Sequence, residues 1–110
     1  MKKIILVVDA APGFVDALVR DDRWDVHTAP AGSAVCRAHD LRPDLLIADV
    51  HPGDGLGVAR TLGWVSATPS LLLSEVPGPS LADLPHARLV LERSCDGETL
   101  LRTVEDLLPA

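Results

Sequence analysis

Two aspartates, Asp9 and Asp49, follow two similar apolar runs and carry the clearest chemical signal in the sequence. Residues 4–8 form a continuous apolar, β-branched run that ends at Asp9, and residues 45–48 form a second run that ends at Asp49. Two carboxylates held side by side repel each other, so one takes up a proton or both share a cation. If the two runs are neighbouring strands, the sequence predicts a shared acidic site.

A divalent cation is the common solution for such a pair. Magnesium prefers oxygen ligands in an octahedron and keeps several waters, so two carboxylates, a nearby backbone carbonyl and a phosphate suit it. This arrangement promotes in-line phosphoryl transfer by positioning and charge neutralisation, and a carboxylate can itself be the acceptor. The alternative interpretation is that each Asp is a turn residue at a strand end. The joint placement of Asp9 and Asp49 favours the shared site.

The elements that must position the pair alternate along the chain. Continuous apolar runs indicate strands buried on both faces, and the alternating residues 24–28 predict a half-exposed edge strand. Further strands are predicted at 70–73 and 89–91, and helices at 14–20, 32–41, 56–62 and 96–108. Pro77, Pro79 and Pro85 leave little room for a full helix, so the fourth crossover is predicted to be short or irregular.

Strands that alternate with helices imply right-handed crossovers and a parallel sheet with helices on both faces. Five such units predict a doubly wound α/β fold with strand order 2-1-3-4-5. In that order the first and third strands are neighbours and flank the switch point where open α/β sheets bind ligands. Asp9 and Asp49 fall at this point.

The length, net charge and composition of the chain exclude several classes of function. A length of 110 residues predicts a single domain over 1–110 with no output domain. A net charge of −6 without a Lys or Arg cluster argues against direct nucleic-acid binding. No apolar run approaches the roughly 18 residues of a membrane span, so we expect a cytoplasmic protein. Cys36 and Cys95 lack metal or redox spacing and are interpreted as small buried hydrophobes.

Several motifs in order resemble the receiver domain of bacterial response regulators. They are Ile4-Ile5-Leu6-Val7-Val8-Asp9, Pro43-Asp44-Leu45-Leu46-Ile47-Ala48-Asp49-Val50, Pro52-Gly53-Asp54-Gly55 and Thr68-Pro69-Ser70-Leu71-Leu72-Leu73-Ser74. The resemblance spans nearly the whole chain and implies a flavodoxin-like fold. It further implies Asp49 as the phospho-accepting residue, with Asp9 and the His51 carbonyl as further metal ligands. Ser74 is implied as the hydroxyl that meets the phosphoryl group.

The chain departs from this family at functional positions. Ala10 stands where the family usually has a second consecutive acid, which is ordinarily a direct metal ligand, so we expect Mg²⁺ to bind weakly. Arg93 replaces the family's lysine. Its guanidinium keeps the positive charge and can donate two hydrogen bonds to a phosphate, but this planar group does not match the shape of the compact lysine ammonium.

The resemblance implies a stand-alone receiver-like protein in a two-component phosphorelay rather than an enzyme. It would take phosphate on Asp49 from a histidine kinase or phosphotransfer protein and signal to a downstream protein target. One alternative is a pseudo-receiver that works by protein contacts without phosphorylation. Another is an enzyme or cofactor binder on the same fold, but residues 9–13 lack the hydroxyls and glycine pattern that would cradle a nucleotide phosphate.

Overall fold

The described residues form the five predicted strands and the helices predicted at 14–20, 32–41 and 96–108. The computed structural model describes residues 2–8, 12–49, 68–74, 87–92 and 97–108. Within these ranges the elements are β1 (Lys3–Val8), α1 (Pro12–Val19), β2 (Trp24–Ala29), α2 (Ala31–Leu41), β3 (Leu45–Asp49), β4 (Ser70–Ser74), β5 (Ala87–Glu92) and α3 (Gly97–Leu107). The predicted helix at 56–62 and the irregular fourth crossover lie outside the described residues.

The five strands form one parallel sheet with the order β2-β1-β3-β4-β5. The predicted strand order and the edge position of β2 are therefore confirmed. β1 pairs with β3 in the register Ile5 with Leu45 through Val8 with Ala48. The β4–β5 pairing contains a register shift between Ser70 and Leu71.

The sheet separates two apolar cores, which makes the fold doubly wound. On one face, α1 and α3 contribute Phe14, Leu18, Leu100 and Val104. On the other face, α2 contributes Ala34 and Ala38 against the alternate residues of the same strands. Successive side chains of a strand point to opposite faces, so residues 5–8 of β1 and 45–48 of β3 must all be apolar to serve both cores. This explains why their sequences show no polar alternation.

Helix α2 begins after Pro30 and ends at Leu41, where Arg42 adopts a left-handed backbone conformation with φ 51° and ψ 63°. The Arg42 N–H donates to the carbonyl oxygen of Ala38 at 2.8 Å, which caps the helix. Pro43 follows at once and cannot continue a helix. The predicted helix stop at this proline is confirmed.

The interpretation of Cys36 as a buried residue is wrong, because the structure places it on the exposed side of α2. The buried stripe runs through Ala34 and Ala38, one helical turn apart. Residue 36 lies two positions from Ala34, a rotation of about 200°, and therefore faces away from the sheet. Val35, a rotation of about 100° from Ala34, lies at the margin of this stripe and is 37% exposed.

Helices α1 and α3 pack closely beside each other on one face of the sheet. A Cβ atom added at Gly97 would lie 3.1 Å from the Cβ of Ala17, closer than side-chain atoms normally approach.

None of the described helices has the length and apolar character needed to cross a membrane.

An ion-pair group joins the start of β2 to α3. The Arg23 guanidinium donates to Asp21 through Nε at 2.8 Å and Nη2 at 2.6 Å, donates to Glu105, and lies 4.4 Å from the ring centroid of Trp24. Hydrogen bonds from Arg23 hold the pKa of the Asp21 carboxyl below its usual range, and Asp21 and Glu105 raise the pKa of Arg23. Trp24 pairs with Lys3 at the amino ends of their strands, so this group lies at the amino edge of the sheet.

Candidate functional site

Strands β1 and β3 end side by side at the carboxyl edge of the sheet, where the acidic pair is predicted. Val8, the last residue of β1, pairs with Ala48, and Asp49 is the next residue of β3. Neighbouring strands lie about 4.8 Å apart, so the chain leaves β1 and β3 close together and at the same level. Asp9 follows Val8 in the sequence. The prediction that β1 and β3 are neighbours at the switch point is confirmed.

Strands β4 and β5 end at the same edge of the sheet. Asp49 pairs with Leu73, and Ser74, the next residue, pairs with Glu92 at the end of β5. Ser74 therefore lies one residue beyond the level of Asp49 on the neighbouring strand. Arg93 follows Glu92 in the sequence.

The structure gives the backbone positions of Asp49 and Ser74, and it places them on adjacent strands. Asp9, His51 and Arg93 lie outside the described residues. The roles assigned to these five residues, as phospho-acceptor, metal ligands, hydroxyl and cation, stay predictions.

The row of residues below this edge is apolar and closed to solvent. Val8, Ala48 and Leu72 are paired across three strands, and each is 0% exposed. A buried apolar row of this kind lowers the local dielectric, and electrostatic interactions beside it are stronger than in bulk water. The lower dielectric increases both the repulsion between unpaired carboxylates and the stabilisation that a shared cation provides.

Sequence reasoning missed a polar contact at the other end of the same two strands. The Asp44 N–H donates to the carbonyl oxygen of Ile4 at 2.8 Å, and the Ile4 N–H donates to Oδ2 of Asp44 at 2.8 Å. The available signal was a carboxylate placed directly before a run of residues buried on both faces. Asp44 therefore ties the start of β1 to the start of β3.

No three or more His, Cys, Asp or Glu side chains within the described ranges converge to hold a metal ion. The donors of the predicted magnesium site include Asp9 and His51, so this observation does not bear on it. The Asp21, Arg23 and Glu105 group lies at the amino edge and takes no part in the candidate site.

Comparison with known proteins places the fold. No protein-family model matches the chain, and no curated protein matches it. Among solved structures, the chemotaxis protein CheY4 of Vibrio cholerae is 24% identical, with a TM-score of 0.80 over 98% of this chain and 100% of that chain. The chain has the fold of a response-regulator receiver domain.

Two more solved structures share this receiver fold. A response regulator from Thermotoga maritima is 20% identical over 100% of both chains, with a TM-score of 0.82. A two-component response regulator of the LuxR family from Aurantimonas sp. SI85-9A1 is 23% identical, with a TM-score of 0.77 over 97% of this chain and 85% of that chain. At these identities the likeness concerns the fold, and the chemistry must be argued from this chain's own residues.

Proposed function

We propose that this protein is a receiver in two-component signalling and accepts a phosphoryl group on Asp49. One observation carries the proposal: β1 and β3 are parallel neighbours whose pairing ends at Val8 and Ala48. The residues that follow in the sequence are the two acids, at the point where α/β sheets of this order bind ligands. The receiver fold supports the same role.

The proposed reaction moves one phosphoryl group between two proteins. A carboxylate oxygen of Asp49 attacks the phosphorus of a phosphohistidine on a kinase or phosphotransfer partner. The new P–O bond forms as the P–N bond breaks, and the electron pair of that bond stays on the imidazole nitrogen. Ser74 and Arg93 are proposed to bind phosphoryl oxygens, Ser74 by its hydroxyl and Arg93 by its guanidinium. The role is signalling to a downstream protein rather than turnover of a substrate.

The proposed metal site offers oxygen donors, the type of ligand that Mg²⁺ prefers. The carboxylates of Asp9 and Asp49 and the backbone carbonyl of His51 are oxygen donors, which magnesium prefers. Bound there, Mg²⁺ would neutralise charge between the acids and the incoming phosphoryl group. Ala10 contributes no third carboxylate, so the affinity is proposed to be low.

The test is phosphoryl uptake from a small donor. The protein is incubated with Mg²⁺ and acetyl phosphate, and the intact mass is measured for wild type, Asp49→Asn and Asp40→Asn. Asp40 is an exposed carboxylate on α2 and serves as the matched control. We expect a single phosphoryl adduct on wild type and Asp40→Asn and none on Asp49→Asn. Absence of the adduct on wild type at high donor concentration would overturn the proposal.

A second variant tests the metal site. Ala10→Asp adds the third carboxylate, and magnesium affinity depends on the number of charged ligands. The Mg²⁺ concentration for half-maximal uptake should fall by about tenfold or more, a change of about 1.4 kcal/mol in binding free energy. If Ala10→Asp has the same magnesium dependence as wild type, position 10 does not belong to the metal site.

The second candidate function is a pseudo-receiver that acts through protein contacts. Ala10 and Arg93 favour it, because both change groups that the family uses for metal and phosphate. The same measurement separates the two candidates, since a pseudo-receiver takes up no phosphate at any magnesium concentration.

A further inference from the structure

Strands β1 and β3 lack a sequence pattern that would fix their alignment. Residues 5–8 and 45–48 are all at most 1% exposed, so each strand is apolar toward both cores. In an alternating strand, a slip of one residue would bury polar side chains, and this cost specifies the register. Inside these two runs, the same slip exchanges one aliphatic side chain for another. Burial alone therefore discriminates weakly between neighbouring registers.

Asp44 forms a contact that distinguishes the observed register of β1 and β3 from the neighbouring registers. Its backbone N–H donates to the carbonyl oxygen of Ile4, and its carboxylate accepts from the Ile4 N–H, each at 2.8 Å. The bond to the carboxylate is charge-assisted and partly buried, and such bonds are the stronger class. A shift of one residue would set Ile4 opposite Pro43 or Leu45. Neither has a side-chain acceptor, so the Ile4 N–H would lose its partner.

We infer that Asp44 is a positioning residue for the acidic pair, an inference that rests on the proposed function. Ile4 and Asp44 are 40 residues apart, as are the paired residues Val8 and Ala48 and the two acids that follow them. The contact at the amino edge thus selects the one register in which β1 and β3 deliver their acids at the same level. A slip of one residue would displace one acid by about 3.3 Å and reverse its face of the sheet.

The experiment compares Asp44→Ala with two other variants. Asp44→Asn keeps a side-chain oxygen that can accept from the Ile4 N–H. Val104→Ala removes buried methyl groups of α3, so it lowers stability while every residue of β1 and β3 and the contact between Ile4 and Asp44 are kept. Two quantities are measured well below the unfolding temperature: the interstrand nuclear Overhauser effects between β1 and β3, and the rate of phosphoryl uptake from acetyl phosphate with Mg²⁺.

We expect Asp44→Ala to weaken or double the interstrand signals of the pairs Ile5 with Leu45 and Val7 with Ile47. Its uptake rate should fall at least about tenfold, because misplacement of reacting groups by 1 Å can cost about a hundredfold. Asp44→Asn and Val104→Ala should keep the wild-type signals and stay close to the wild-type rate.

Wild-type interstrand signals in Asp44→Ala would overturn the alignment role, and an uptake rate equal to that of Val104→Ala would overturn the positioning role. If wild type takes up no phosphate, the proposed function fails. The interstrand signals then decide by themselves whether Asp44 sets the alignment, so the two failures are distinguishable.

Discussion

Two adjacent leucines of α3 allow a direct test of how the terminal helix holds the fold. Leu100 is 0% exposed in the core shared with α1 and the sheet, whereas Leu101 is only partly buried against the same core. Both residues belong to one helix, and replacement by alanine changes helix propensity by little in either case. A difference in stability between Leu100→Ala and Leu101→Ala therefore reports burial.

The expected size follows from the burial. Leu→Ala at a fully buried site costs about 2–5 kcal/mol, and we expect about 3 kcal/mol for Leu100→Ala. A chain of 110 residues has an unfolding entropy of about 230 cal/mol/K near its midpoint, so the unfolding temperature should fall by about 13 °C. Leu101→Ala should lose about half as much or less. Total stability for this length is roughly 6–16 kcal/mol, so both variants should remain folded.

The assay is urea unfolding followed by far-UV circular dichroism, with thermal unfolding as the second measurement. The slope of free energy against urea should be the same for wild type and both variants, which shows that the denatured states are comparable. Equal losses for the two variants, or a larger loss for Leu101→Ala, would refute the assignment of Leu100 as the core anchor of α3.

Two further predictions concern the same helix pair and its ion-pair group. The pKa of Asp21 is lowered by Arg23, so the pair stabilises the fold above the unfolded pKa of about 3.9 and loses that effect as the pH falls through the lower folded value. The stability difference between wild type and Asp21→Asn, measured by urea unfolding, should therefore shrink below about pH 4, and a difference that is constant with pH would contradict the pairing. Gly97→Ala should destabilise by about 1 kcal/mol, because the 3.1 Å approach to Ala17 forces two packed helices apart and outweighs the gain in helix propensity. If the loss in the double variant Gly97→Ala with Ala17→Gly is smaller than the summed losses of the two single variants, the contact is confirmed, whereas a Gly97→Ala variant more stable than wild type would argue against it.

The sequence could predict the fold because its strongest signals are local. Runs that are apolar at every position occur where a strand is covered on both faces, and β1 and β3 have this environment. The stop of α2 follows from Pro43, which excludes helical backbone whatever surrounds it. Right-handed crossovers limit the order of the strands to a few arrangements, and the doubly wound order is one of them. Given that order, the edge at which Asp9 and Asp49 follow their strands is also predictable.

The degree of burial along a helix needed the tertiary structure. An apolar stripe shows which residues can face a core, but the width of the contact depends on how near the neighbouring elements come. Ala34 and Ala38 let α2 approach the sheet along a narrow line, which leaves Val35 and Cys36 outside it. In α3 the stripe is wider, yet it contains fully buried residues such as Leu100 beside partly buried ones such as Leu101.

By itself, the sequence determined that this chain forms a parallel sheet with two acids following neighbouring strands. Only the tertiary structure decided the alignment of those strands, because the contact that selects it joins Asp44 to a residue 40 positions away. The link from Arg23 to Glu105 is likewise formed across 82 positions. Local patterns encode which face of an element is apolar, whereas register and depth of burial depend on contacts between distant segments and arise when the chain folds.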